Sequence, residues 1–569
     1  MDIVEKLKLN IQNAFSLLGQ NVELNDIIIE RSKDESHGDY ATNAAMKLCR
    51  LFSKNPREVA SLLIEKIDKS DIEKIEIAGP GFINFFMKHD SLQPIVKKII
   101  EEKDNFGHAS KNGKKINVEF VSANPTGILH VGAARGAAVG DSLARIFDAA
   151  GYDVTREYYI NDAGNQITNL GLSIQARYMN LFGIEKEIPA DGYAGQDIFD
   201  IANKLKEEVG DKMLNDEHAL DFFKERGMRI ELDRIIDDLA LFRVKFDVFS
   251  SEKAIRAGQA VEKELVYLQK HIYEQDGAKI LKTTDFIDDK DRVIVKSNGD
   301  YTYFLPDIVY HVNKLSRGFD KLVDVLGADH HGYINRMKSA LMMHGYQPDI
   351  LDIELIQMVR FLKNGQEFKA SKRSGDAITL RDVCEEVGVE AMRYFFALRA
   401  PSSHLDFDMD LAKEQSSNNP VYYAQYAHAR LCSILEQGKD IPIDIDAKSL
   451  AATSEINLLK HLASFPNLIL DAAKEMAPYK ITNYIHDLAG LIHEFYTECR
   501  VIDRNNMDVS ASRLALCQAS KQVMKNALDF GALYLLLIRQ QQSYNLRILL
   551  RIMFLYCHPN QDFSVLLQR

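Results

Sequence analysis

The sequence has no C-x-x-C pair. Its six cysteines, Cys49, Cys384, Cys432, Cys499, Cys517 and Cys557, are widely scattered, which fits neither a zinc site nor a disulfide framework. Buried, reduced thiols and no structural metal are expected. An apolar leader is also missing, since MDIVEKLKLNIQ carries charge throughout. Long apolar runs are missing too: the stretches near the C-terminus are broken by Arg539, Arg547 and Arg551, so none can span a bilayer. Nor is there an excess of positive charge. With 70 Lys and Arg against 82 Asp and Glu, the net charge is −12, which argues against a generic polyanion binder. A local basic track remains possible, because phosphate contacts act within about 10 Å at physiological salt. No internal repeat or low-complexity tract occurs. The absences leave a soluble cytoplasmic protein of 569 residues, too long for one core and expected to form roughly three or four domains.

Residues 1–106 read as a small α+β domain. Ile3, Leu7, Ile11 and Phe15 recur at helical spacing, and IEIAGPGFINFFM alternates apolar residues around a Gly-Pro-Gly turn, as a hairpin does. From Ile116 the texture changes. INVEFVSA is a β-rich run leading into NPTGILHVG, and a helix with an apolar stripe through Val139, Leu143 and Ile146 follows. Strand, loop, helix is the first unit of a nucleotide-binding α/β fold, and KLVDVLGADHHGY opens a second. Charged helical stretches between them read as insertions. Residues 107–405 are therefore expected to be an α/β, Rossmann-like domain, 406–528 an all-α domain, and 529–569 an apolar and basic tail.

Chemistry concentrates in two loops. The first is Asn124-Pro-Thr-Gly-Ile-Leu-His130-Val-Gly132, between a strand and a helix. Such a loop aims backbone N–H groups and a helix N-terminus at an anion, and a histidine there can donate to phosphate as charge builds. The second is Phe368-Lys369-Ala-Ser371-Lys372-Arg373-Ser-Gly375, whose lysines could clamp a leaving pyrophosphate. A third constellation is Tyr303 with Asp307, four residues apart, sharing one helix face behind Pro306. On spacing alone such a pair reads as a surface hydrogen bond.

The two loops together resemble the HIGH and KMSKS signatures of class I aminoacyl-tRNA synthetases. Longer matches are similar to the arginyl-tRNA synthetase family: Val118–Gly127, Tyr158–Gly164, Gly327–Tyr333, Asn419–Tyr423 running to Arg430, and His37–Asn43 with Gly81–Phe85 near the start. This resemblance runs in order from residue 1 to about 528. It implies a class I Rossmann-like catalytic domain with an N-terminal α+β domain and an all-α C-terminal anticodon-binding domain. It further implies ATP-dependent attachment of L-arginine to tRNA(Arg) by a monomer that uses ATP as its Mg2+ complex.

By the same resemblance, His130, Gly132, Lys369, Ser371 and Lys372 are the catalytic set. Ala123, Asn124, Pro125, Thr126, Gly127 and Ala133 form the signature loop. Glu119, Asn124, Tyr303, Asp307 and His331 bind arginine, and Gly327 and Asp329 join His130, Gly132, Lys369 and Lys372 around ATP. Phe82 and Asn84, then Tyr422, Tyr423 and Gln425, meet the tRNA.

Three positions depart from the family pattern. Ala133 stands where the second signature histidine belongs, and losing such a donor costs on the order of 10²–10³-fold in rate. Ala370 replaces the signature methionine, a packing group. The tail after Asp529 matches nothing in the family, and reads either as an altered segment that packs opportunistically or as an extra helix. Ala133 and this tail are the features that keep open a non-catalytic tRNA-binding paralogue.

Overall fold

The structure, a computed structural model, describes residues 3–32, 37–88, 91–257, 259–368 and 378–531. Lys369, Ser371, Lys372 and the tail beyond residue 531 lie outside the described residues.

The first sheet joins β1 (Ile29–Arg31), β2 (Tyr40–Thr42), β3 (Ile72–Ala78) and β4 (Phe82–Met87) in the order β1-β2-β4-β3, all antiparallel. The β3–β4 turn needs its glycines. Gly79 and Gly81 have φ of 50° and 139°, and a Cβ on Gly81 would sit 2.9 Å from Pro56. Apolar residues of one face, Ile83 and Phe85, close over Leu7, Ile11 and Phe15 of the helix Ile3–Leu17 and Val59 and Leu63 of the helix Pro56–Lys66.

The boundary of this domain falls earlier than residue 106 by packing. The helix Pro94–Glu102 lies on the last helix, Met507–Phe530, and Asn526 donates to the carbonyls of Lys103 and Phe106. That segment is a strap under the helical domain.

The central sheet holds β5 (Lys115–Glu119), β6 (Asp153–Ile160), β7 (Val248–Ser251) and, after a small antiparallel sheet of β8 (Ile272–Gln275), β9 (Ala278–Leu281) and β10 (Arg292–Val295), also β11 (Lys321–Gly327) and β12 (Leu351–Ile356). Its order is β12-β11-β5-β6-β7, with every pair parallel. Chain direction across the sheet reverses between β5 and β11, and in doubly wound sheets ligands bind at the carboxyl ends of strands at that point. Between β6 and β7 the expected helical insertion appears as Asn165–Asn180, Gln196–Val209 and Ala219–Leu241, with its own core around Leu170, Ile174 and Phe223.

After β12, a small sheet of β13 (Val359–Lys363), β14 (Gln366–Glu367) and β15 (Leu405–Asp408) straddles the expected boundary at residue 405. Helices from Pro420–Gln437 to Met507–Phe530 complete the described residues, the first capped by Asn419 with Pro420 in its first turn. Among the described residues no helix is long and apolar enough to cross a membrane. The five described cysteines are free thiols, three of them buried.

Candidate active site

β5 ends at Glu119, and the chain turns sharply. Val121 and Ser122 both sit in the left-handed region, with φ of 68° and 41°. For a β-branched valine this is costly, and such strain gathers where surroundings over-determine the backbone. Here they do. Ser122 Oγ donates to Glu119 Oε1 at 3.0 Å and accepts the Tyr159 N–H at 3.0 Å. Tyr158 donates its hydroxyl to the Ala123 carbonyl at 2.7 Å, and Asn161 Nδ2 donates to Asn124 Oδ1 at 2.6 Å. Behind the turn, Phe120 lies so close to Gly140 that a Cβ there would come within 2.3 Å of its ring.

The helix Phe304–Ser316 faces this turn. Tyr303 caps it and Asp307 occupies its first turns, the Asp307 N–H donating to the Tyr303 carbonyl at 3.3 Å. The stripe continues through His311 to Lys314. Lys314 is fully buried; its ammonium contacts Glu119 Oε2, donates to Asp324 Oδ1 of β11 at 3.0 Å, and lies 4.4 Å from the Tyr310 ring centre. His311 sets one ring nitrogen 2.7 Å from the Asp307 carbonyl and the other 2.8 Å from Asp324 Oδ2. Both partners can only accept, so both nitrogens carry protons. Burial alone would lower the His311 pKa, but the Asp324 carboxylate outweighs it and the net shift is upward. Asp324 is held far below the usual carboxylate range: burial opposes this, and Lys314 and His311 overcome it. Asp307 goes the other way. Burial and then the carboxylates Glu119, Glu252 and Asp324 push it up to about 7, against the pull of His311.

These groups line a cavity of about 660 Å³ at the reversal point of the sheet. Of the residues expected from sequence, Glu119, Ala123, Asn124, Tyr303, Asp307 and Gly327 line it. His331 does not; its neighbour His330, the last residue of the turn Ala328–His330, does. Asp329 is exposed, 3.6 Å from His330, and Pro125, Thr126 and Gly127 lie outside the lining. Tyr303 is 82% exposed at the rim. Sequence reasoning missed Tyr159, Asn161, Gln166, Glu252, Tyr310, His311, Asp324 and Tyr333 in the wall, and Lys314 beneath it. The available signal was the spacing Tyr303, Asp307, His311, Lys314, a polar stripe down an otherwise apolar helix.

His130 sits apart from the cavity, before the helix Ala134–Ala149. The Gly132 N–H donates to its Nδ1 at 2.8 Å, so the ring proton is on Nε2. Partial desolvation by the surrounding loop lowers its pKa although the ring stays exposed, which favours this neutral donor form. Gly132 is required, since a Cβ would stand 2.9 Å from Nδ1. Ala133 donates its N–H to the His130 carbonyl at 3.0 Å and adds no side-chain donor. The loop is tied to the segment that follows the second signature: the Val131 N–H donates to the Ile378 carbonyl, and the Leu380 N–H to the Leu129 carbonyl, each at 3.0 Å. Arg135, fully buried, secures the other side by donating to the carbonyls of Gln357, Ala400 and Ser403.

At the expected tRNA contacts, Phe82 is 37% exposed, but Asn84 is 4% exposed in a central strand between Ala41 and Glu76. Tyr422, Tyr423 and Gln425 are half-buried on the helix Pro420–Gln437, where the Tyr423 ring packs at a tilt against His486 and His493.

Residues 5–87 match the arginyl-tRNA synthetase N-terminal domain, 95–397 the class I (R) tRNA synthetase catalytic domain, and 424–531 the DALR anticodon binding domain. The chain belongs to the arginyl-tRNA synthetases. It is 49% identical to the arginine–tRNA ligase of Bacillus subtilis over 90% of this chain and 94% of that one. Against the ligase of Anoxybacillus flavithermus it is 50% identical over 93% and 98%. The arginyl-tRNA synthetase structure of Thermus thermophilus shares the fold, with a TM-score of 0.72 at 20% identity, covering 93% of this chain and 98% of that one.

Proposed function

We propose that the acidic cavity at the sheet reversal binds L-arginine and that the His130 loop activates it with ATP. The chain is an arginine–tRNA ligase. The observation that carries this reading is the convergence of Glu119, Tyr303 and Asp307 on one cavity at the point where the strand order of the parallel sheet reverses.

Arginine's guanidinium pairs with Asp307, with the Tyr303 hydroxyl on its remaining edge, and its ammonium lies toward Glu119 and Asn124. ATP arrives with Mg2+ as part of the substrate. An arginine carboxylate oxygen attacks the α-phosphorus, the bond to the β-phosphate oxygen breaks, and pyrophosphate leaves. His130 Nε2–H donates to the α-phosphate as charge builds, and Lys369 and Lys372 stabilise the leaving group. Gly327 and Asp329 flank the nucleotide. The 3′-terminal ribose hydroxyl of tRNA(Arg) then attacks the adenylate carbonyl, AMP leaves, and arginyl-tRNA forms.

Phe82 stacks on an unpaired base at the outer corner of the tRNA, with Asn84 shaping the strand beneath it. Tyr422, Tyr423 and Gln425 lie toward the anticodon stem and loop. The chain acts as a monomer in the cytoplasm.

Arginine-dependent charging of total tRNA tests the reading. Formation of arginyl-tRNA with one ATP cleaved to AMP per product is expected. Tight tRNA binding with no charging would leave the non-catalytic paralogue, to which Ala133 points.

A further inference from the structure

The buried ammonium of Lys314 has no contact with solvent, yet it touches the wall of the arginine cavity through Glu119. All three of its N–H bonds are committed: one to Glu119, one to Asp324, and the third directed at the face of Tyr310, whose own hydroxyl is anchored on Glu157. The two oxygens of Glu119 are thereby fixed, Oε2 by Lys314 and Oε1 by Ser122. A carboxylate held by two donors at the end of a strand has one orientation left.

Charge at the floor of the cavity is equally constrained. Asp307 faces Glu119 from β5, Asp324 from β11, Glu252 from beside β7, the rings of Tyr159 and Tyr333, and His311 from its own helix. Glu252 is paired with Arg256. The remaining carboxylates, Glu119, Asp307 and Asp324, meet two cations, His311 and Lys314, and so leave one net negative charge. Arginine, with a guanidinium, an ammonium and a carboxylate, carries one net positive charge.

We propose that Lys314 is a positioning residue for amino-acid recognition, which aims the Glu119 carboxylate into the cavity and sets the floor to a charge that complements arginine. This rests on the cavity being the arginine site. Lys314 itself never meets substrate.

Replacing Lys314→Met frees Glu119 and leaves three carboxylates against one imidazolium. The KM for arginine should rise about tenfold or more while the KM for ATP stays within about twofold. The acid limb of kcat/KM for arginine should also move to higher pH, because losing a cation leaves the Asp307 carboxylate less stabilised and its proton is held to higher pH. The pair Glu119→Gln with Lys314→Met returns the floor to one net negative charge by removing both members of the Glu119–Lys314 ion pair. Its acid limb should return toward the native position, and its arginine KM should be no worse than that of Glu119→Gln alone. This pair keeps the test open if Lys314→Met does not fold.

An arginine KM and acid limb unmoved by Lys314→Met would overturn the inference. So would a uniform loss of kcat with both KM values intact, the mark of a merely structural residue, or a double variant whose limb stays displaced. A native chain that fails to activate arginine would instead remove the reading of the cavity itself.

Discussion

The amino-acid half of this active site and its nucleotide half are built by opposite means. At the cavity floor, Glu119, His311, Lys314 and Asp324 interlock through charged hydrogen bonds among buried side chains. Around His130 the fastening is main chain: Gly132, Val131, Ala133 and Leu380 donate backbone N–H groups, and the histidine and Gly132 stay exposed. Breaking one partner of a buried ion pair costs several kcal/mol, so the floor accepts one shape and one charge. A loop tied by backbone bonds can shift as charge moves through the transition state. On the proposed reading, selectivity resides in side chains between strands, and rate in loops at their ends.

Variants on each side should separate along this line. The largest effect is expected for His130→Ala, which removes the Nε2–H donor: kcat should fall on the order of 10²–10³-fold with the arginine KM little changed. A comparable rise in the arginine KM would erase the division. Asp307→Asn keeps size but removes the charge facing the guanidinium. Steady-state kinetics should give an arginine KM raised roughly tenfold or more and an ATP KM that barely moves. Equal changes in the two would disqualify Asp307 as the anchor.

Ala133→His should sharpen the contrast from the other side by restoring a donor beside His130. A gain of about tenfold in tRNA-supported arginine activation, seen in turnover and not in arginine affinity, is the expected result. No gain would mean that another group already fills the role.

The smallest effect is in pH. Asp307 binds a guanidinium only as the carboxylate, and burial pushes its pKa up to about 7. Its proton occupancy grows as pH falls through that value, so the arginine KM should rise about fivefold between pH 7 and pH 6. The KM for ATP, measured across the same range, should stay nearly flat. Calorimetric titration with arginine in buffers of different ionisation heat should register proton release at pH 6; none at all would contradict the raised pKa.

Legibility followed the same division. Tyr303 and Asp307 could be singled out in sequence because four-residue spacing puts them on one helix face, and Glu119 and Asn124 because they lie in the stretch Val118–Gly127 that resembles the family's first signature region. Asp324 and Glu252 could not, since they reach the cavity from distant segments whose pairing only the strand order decides. His331 was expected at the cavity from the resemblance, but His330 lines it, and sequence does not say which of two adjacent histidines in a short turn reaches a wall. Asn84 was expected at a tRNA surface, but a central strand leaves it 4% exposed. The strap Pro94–Glu102 read as part of the first domain because its helical periodicity does not name the surface it covers. The parallel sheet, in contrast, was announced twice by strand, loop and helix in succession.

The bonds that join Leu129 and Val131 to Ile378 and Leu380 also impose an order on synthesis. A ribosome delivers every cavity residue, the last being Tyr333, before it delivers the segment that fastens the His130 loop. At about 5–20 residues per second, several seconds separate the two events. During that interval the nascent chain has every residue that lines the proposed arginine cavity, but not the segment that clasps the His130 loop.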